Sequence, residues 1–283
     1  MINLEFIKLI MPEIEKYFIK NGSTYTIPKE YDYFKESITL FAKQNNLIES
    51  IILLMEAGMN EEAYVLARSV LNNYFLIRYI LEDKSKVEEY KIQPLITEMK
   101  YWKKVKESLK GNFGTRMKQQ GKCFSFNEVD IDKKINDIND QIISSGVVDT
   151  KGRPVKNLLS IIDLAGKPEE NSDFELYITY YMEASKYEHS DISALKIYRT
   201  QEEIDDLGTS TFIMNTNQTD TKLEKKIKFI IDNCYFQSFR YLVLAIQEIA
   251  NKDIKMVSCY DTTKLLEISE KTLNYLLSLK SND

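Results

Sequence analysis

Glycine and proline are scarce in this chain, with 9 and 5 among 283 residues, and it holds a single histidine, His189. Breakers this few, beside plentiful Lys, Glu, Leu, Ile and Asn, favour an all-α protein. One histidine excludes a multi-histidine metal centre. Cys123, Cys234 and Cys259 are odd in number and widely spaced, so neither a disulfide framework nor a paired-cysteine zinc site is written here. The longest apolar runs, such as Ile51 to Met55, fall far short of the roughly 20 residues that span a bilayer, which predicts no membrane partner. The opening stretch MINLEFIKLIMPEIEKYF carries Glu5 and Lys8 within its apolar run and lacks a basic n-region and a small-residue cleavage site. It predicts an untargeted, cytoplasmic protein. No motif specifies a reaction, so whether the chain is an enzyme stays open, and no cofactor or metal is implied.

The composition is otherwise that of an ordinary soluble chain, 43% hydrophobic and 29% charged. A formal net charge of −5 argues against a general nucleic-acid coat. The distribution is uneven: Lys100 to Lys122 holds eight cations against Glu107 alone, +7, which leaves −12 for the remainder. Tyr101, Trp102, Phe113 and Phe124 lie among or beside those cations. Cations with aromatic faces can neutralise phosphates and stack bases, so Lys100, Lys103, Lys104, Lys106 and Trp102 are candidate contacts to RNA or a nucleotide. A solvated helix face running into a loop is the plainer reading of the same residues.

Apolar residues recur at helical spacing almost throughout. A first helix begins at Leu4, with Pro12 as a kink. Tyr31 to Lys43 and Leu47 to Ala57 read as two shorter helices. Glu61 to Leu81 is apolar on nearly every side, which marks a helix surrounded by others. Lys84 to Leu109 continues as amphipathic helix interrupted at Pro94, followed by a basic loop near 111–128. Asp132 to Ser145 and Val155 to Ala165 read as short helices. Ser172 with Glu175 forms a capping box opening a helix through His189 to about Tyr198. An irregular segment lies near 200–220, in which Gly208 to Gln218, after the acidic QEEIDD, reads as a loop or short hairpin. Thr221 with Glu224 is a second capping box, opening a long helix to about Asn251, and Thr262 to Leu279 is the last. No repeat or linker divides the chain, so 1–283 reads as a single-domain multi-helix bundle with two central buried helices, Glu61 to Leu81 and Ser172 to Tyr198.

The informative residues are polar ones on these helices. A projection at 100° per residue puts Ile178, Tyr181, Met182, Ser185, Glu188, His189, Ile192 and Leu195 in one inward sector. On the central helix, Arg68 and Asn72 share a face with Phe75 and Tyr79. A buried arginine must meet a carboxylate or an anion, and Glu188 is the internal candidate. Two readings follow. Arg68, Asn72, Ser185, Glu188 and His189 form either a closed network fixing helix register or a catalytic cleft. In the cleft, His189 is acid or base and Arg68 stabilises an anion.

The segments EEAYVLARSVLNNYFLIRYILED, Glu61 to Asp83, and YYMEASKYEHSDISAL, ending at Leu195, resemble the bacterial helical proteins of domain-of-unknown-function family fifty-six seventy-seven. In that family an arginine followed by serine opens an apolar helix, with an acid four residues after the arginine. Arg68 and Ser69 match, while Asn72 stands in the acid's place. The later pattern, tyrosine, serine, then histidine with a small residue, matches Tyr181, Ser185, His189 and Ser190. More distantly, Arg plus His on an all-α scaffold is similar to the HEPN superfamily, which includes metal-independent RNases of toxin and phage-defence systems. There the arginine closely precedes the histidine on one helix. Here Met182, Glu183 and Ala184 occupy those positions, so Arg68 would have to serve from another helix or another subunit. The resemblance implies a HEPN-like RNase or effector. The alternatives are a non-enzymatic module for a small anion or nucleotide, or a structural homo-oligomeric protein. A homodimer is expected from the aromatic Tyr235, Phe236, Phe239 and Tyr241, which exceed what one buried stripe uses.

Overall fold

A computed structural model describes residues 4–20, 22, 25–111, 115–116, 128–149, 151–166, 173–189, 191–204, 206, 209–214, 220–252 and 260–280. The fold is all-α. In chain order the helices are α1 (Leu4–Ile14), α2 (Asp32–Glu56), α3 (Asn60–Glu82), α4 (Lys86–Lys91), α5 (Gln93–Lys110), α6 (Glu128–Ser144), α7 (Ile161–Ala165), α8 (Asp173–Leu176), α9 (Met182–Glu188) and α10 (Ile192–Leu195). After a hairpin of β1 (Arg199–Ile204) and β2 (Ser210–Met214) come α11 (Thr221–Ile230), α12 (Phe236–Lys252) and α13 (Thr262–Lys280). Most of the basic loop near 111–128, together with Cys123, Cys259, Ser172 and Ser190, lies outside the described residues.

The residues group into two compact units, Met1–Asp83 with Ile161–Asp283, and Lys84–Ser160. In the first, α3 is the central helix expected from its all-round apolarity: Ala63, Tyr64, Ala67, Val70, Leu71, Phe75, Ile77 and Ile80 are fully buried. It is packed against α2, α7, α9, α11 and α12. Each such large apolar side chain contributes about 1.5–3 kcal/mol on burial. The second unit has its own core of Ile92, Ile96, Met99, Trp102, Ile131, Ile138, Ile142 and Val155 between α5 and α6. Pro94 sits in the first turn of α5, where its missing N–H leaves no bond unmade, and so divides α4 from α5.

Three expectations change. First, α2 is one helix of 25 residues. Gln44 and Asn45, between the two expected helices, are buried mid-helix with partners: the Gln44 amide donates to the Val70 carbonyl (3.0 Å), and Asn45 donates to Glu15 (2.7 Å) while accepting from the Tyr235 hydroxyl (2.5 Å). Second, the helix opened at Asp173 ends at Glu188 instead of continuing to Tyr198, and QEEI lies in β1 of an antiparallel hairpin. Third, Tyr235, Phe236 and Phe239 are fully buried, and the Tyr241 ring stacks on Tyr74 (centroids 6.4 Å apart). Three of the four aromatic residues behind the expected homodimer therefore belong to the core, and Tyr241 is half-buried.

Candidate functional site

Asp173 to Glu188 is helical throughout, but α8 and α9 are joined by a π-helical turn, Tyr177–Tyr181. That turn closes over one residue more than an α-helical turn, so each of its residues rotates through less than 100° and a uniform projection assigns the wrong face beyond it. The buried positions are Asp173, Leu176 and Ala184, whereas Ile178 and Met182 are 49% and 50% exposed and Leu195 is 40% exposed. The predicted inward sector is thus a partly exposed face. The helix still lies on α3, where the buried Tyr64 hydroxyl donates to Glu183 (2.8 Å), a carboxylate also held by Lys226 at 2.5 and 2.6 Å.

Along that face the structure brings together four polar groups. The Arg68 guanidinium donates to Glu188, the partner expected from the sequence, and to the Tyr181 hydroxyl at 2.9 Å. It also lies over the Tyr181 ring, 4.6 Å from the centroid. Burial raises the Tyr181 hydroxyl above the ordinary tyrosine range although Arg68 pulls the other way, so this O–H remains a donor. His189 caps the C-terminus of α9, its backbone N–H bonded to the Ser185 carbonyl at 3.0 Å. Its imidazole is not inward: the side chain is 73% exposed, with Nε2 at 3.6 Å from Glu188 Oε2. That is an ion-pair separation for the protonated ring and too long for a hydrogen bond.

Ser185 and Asn72 stand apart from this group. The Ser185 hydroxyl donates to the carbonyl of Tyr181 one turn back (2.8 Å), which satisfies it within its own helix. Asn72 lies one turn along α3 from Arg68, and its Oδ1, like Arg68 Nε, is buried without a hydrogen-bond partner among the described residues. Of the five residues offered as either a closed network or a cleft, Arg68, Glu188 and His189 fall together with Tyr181 in a line that reaches the surface.

The candidate nucleic-acid residues divide as well. Lys100, Lys103 and Lys104 are exposed on α5, while Lys106 pairs with Asp132. Trp102 offers no face to a base. It is buried, donates to Glu98 (3.2 Å) and carries Lys134 over its ring at 4.4 Å. The signal for this was present, since Ile92, Ile96, Met99 and Trp102 recur at helical spacing.

Sequence reasoning missed a second arginine. Arg78, within LIRYIL, is buried and donates to Asp173 and to the Leu164 carbonyl (2.6 Å); Asp173 also accepts from the Tyr74 hydroxyl at 2.9 Å. The argument applied to Arg68 applies more strongly to Arg78, because it is flanked by Ile77, Tyr79 and Ile80.

Among the described residues no group of three or more His, Cys, Asp or Glu is placed to hold a metal, and no helix is long and apolar enough to cross a membrane. A family model described as a family of unknown function, DUF5677, matches residues 37–206. No curated protein and no solved structure matches the chain.

Proposed function

The chain belongs to DUF5677, a family of unknown function, and we propose that its Arg68–Tyr181–Glu188–His189 group performs metal-independent acid–base chemistry on a phosphodiester, with RNA as the substrate class. The observation that carries this reading is one guanidinium that holds both a tyrosine hydroxyl and a carboxylate, with an exposed imidazole beside that carboxylate. His189 accepts the proton of a ribose 2′-hydroxyl, whose oxygen attacks phosphorus as the bond to the 5′ oxygen breaks; the leaving oxygen takes a proton from water. Arg68 and the Tyr181 O–H donate to the phosphorane oxygens. Glu188 holds the guanidinium in place until phosphate competes for it. The second unit carries sixteen Lys and Arg against ten Asp and Glu, so its formal +6 contrasts with −11 for the first. Exposed Lys100, Lys103 and Lys104 supply phosphate contacts there.

Purified protein incubated with single-stranded RNA and excess EDTA tests the reading. Cleavage is expected from the wild type and not from His189→Ala, with RNA binding by the variant retained. Equal cleavage by both, or none by either, removes His189 from any catalytic role. A second reading, a non-enzymatic site for a small anion or nucleotide, is favoured by the exposed imidazole, which no side-chain hydrogen bond orients. It predicts calorimetric binding of phosphate or nucleotide that Arg68→Ala abolishes and His189→Ala leaves unchanged.

A further inference from the structure

The residues of α5 divide by face. Ile96, Met99 and Trp102 are buried in the core between α5 and α6, and the ring next to Trp102 in sequence turns the other way: Tyr101 is 56% exposed. Trp102 backs it, with ring centroids 5.1 Å apart and planes at 75°. An edge-to-face contact of that kind leaves Tyr101 a face in solvent. Thr97 and Ser108 share its side of the helix, and their hydroxyls turn back to the Gln93 and Lys104 carbonyls at 2.9 and 2.8 Å. Neither side chain is long enough to cover the ring. Among the described residues Trp102 is the one ring in contact with it.

The cations around Tyr101 differ from the others of the same unit. Lys86, Lys91, Lys106 and Lys134 each meet a carboxylate, whereas Lys100, Lys103 and Lys104 are exposed and meet none among the described residues. Glu98, one turn before Tyr101, is engaged elsewhere: it accepts from Trp102 at 3.2 Å and faces Lys134 at 3.6 Å. Glu107 is the acid that stands beside the lysines. Residues three or four apart on a helix are neighbours, so Lys104 adjoins both Tyr101 and Lys100, and Lys100 adjoins Lys103. One open aromatic face is thus edged by three uncompensated charges.

We infer that this face of α5 binds an unpaired RNA strand, with one base stacked on Tyr101 and the neighbouring phosphates met by Lys100, Lys103 and Lys104. This rests on the RNA reading above, which drew on the lysines alone, and adds that the strand is unpaired. A duplex keeps its bases stacked on one another and offers a ring on a convex helix only its backbone, whereas a single strand can lay a base on that ring. The three free cations match phosphate in charge. A lipid surface fits less well, because an interfacial helix needs a broad apolar face toward the membrane and the apolar face of α5 is already covered by α6.

The test uses the full chain and a labelled 2′-O-methyl oligonucleotide, single-stranded or annealed to its complement, which cannot be cut through a 2′-hydroxyl. By fluorescence anisotropy the wild type should bind the single strand more tightly than the duplex, although the duplex carries the denser charge. Tyr101→Ala should weaken single-strand binding about tenfold, within the range for loss of one stacked base, and leave duplex binding and the salt dependence unchanged. Tyr101→Phe keeps the ring and should match the wild type. Equal or tighter binding of the duplex by the wild type, or single-strand binding that ignores Tyr101→Ala, overturns the site. Binding to phosphatidylserine vesicles but to neither oligonucleotide form overturns it as well. RNA cleavage by a protein whose binding ignores Tyr101 removes this site and leaves the catalytic reading standing. Tyr101-dependent binding by a protein that cleaves no RNA does the reverse.

Discussion

Two arginines on one helix, Arg68 and Arg78, face carboxylates from the same helical stretch, Glu188 near its end and Asp173 at its start. The chemistry of the pairs is alike, and their surroundings are not. Arg78 and Asp173 have side chains 6% and 10% exposed, and Tyr74 and the Leu164 carbonyl add further bonds to the pair, while Arg78 Nε has no hydrogen-bond partner among the described residues. Arg68 and Glu188 are 23% and 37% exposed, with His189 outside them in solvent. A pair shut away from water fixes the packing of α3 against the segment from α7 to α8. A pair at the surface can exchange its carboxylate for another anion. That difference, more than residue type, assigns structure to the first and ligand chemistry to the second.

The largest test of this contrast is Asp173→Ala, which leaves the Arg78 charge buried without its carboxylate. Chemical denaturation should show a loss of about 3–5 kcal/mol, and the Arg78→Leu/Asp173→Leu double variant should recover much of it. A loss as small as that of an exposed pair would remove the distinction.

Tyrosines sharpen it further. Burial, with Asp173 adding, raises the Tyr74 hydroxyl well above its ordinary range, whereas at Tyr181 the nearby Arg68 offsets part of the same effect. Unfolded tyrosine ionises at about pH 10. The native state keeps its proton longer, so this stability is fully present below that pH and falls as pH rises beyond it. Tyr74→Phe should cost about 1–2 kcal/mol at neutral pH and flatten the alkaline decline measured by thermal melts. Tyr181→Phe should flatten it less.

Arg68→Ala should lower stability by about 1 kcal/mol or less, as expected for a partly exposed pair. Its effect should instead appear as abolished RNA cleavage or phosphate binding. A melting shift matching that of Asp173→Ala would make Arg68 a structural residue. Smallest in stability is the combined Lys100→Ala, Lys103→Ala and Lys104→Ala change on α5, under about 0.5 kcal/mol for exposed sites. RNA affinity should nonetheless fall, and the slope of its logarithm against log salt should flatten by about 0.7 for each phosphate no longer neutralised.

Much of the fold was legible before any coordinates. The all-round apolarity of Glu61 to Leu81 marked α3, and Pro94 marked the start of α5. The Arg68–Glu188 pair followed from the need of a half-buried guanidinium for a carboxylate. The joints near Asp83 and Ser160 were not legible, since neither carries linker composition; the two units are distinguished by which residues each packs together. The continuity of α2 through Gln44 and Asn45 was not legible, since the partners that hold them, Val70, Glu15 and Tyr235, are remote in sequence. The face of Asp173 to Glu188 was misassigned because a π-turn leaves no mark in apolar periodicity.

By itself the sequence determined what depends on local pattern and composition: helix type, the central place of α3, the concentration of positive charge between Lys84 and Ser160, and the requirement that Arg68 find an acid. Only the tertiary structure decided what depends on solvent. It placed His189 at the surface, Trp102 and Arg78 inside, and Tyr177 half-buried beside Tyr181. Exposure is set by what distant segments cover, and the side chain's own neighbours in sequence do not encode that covering.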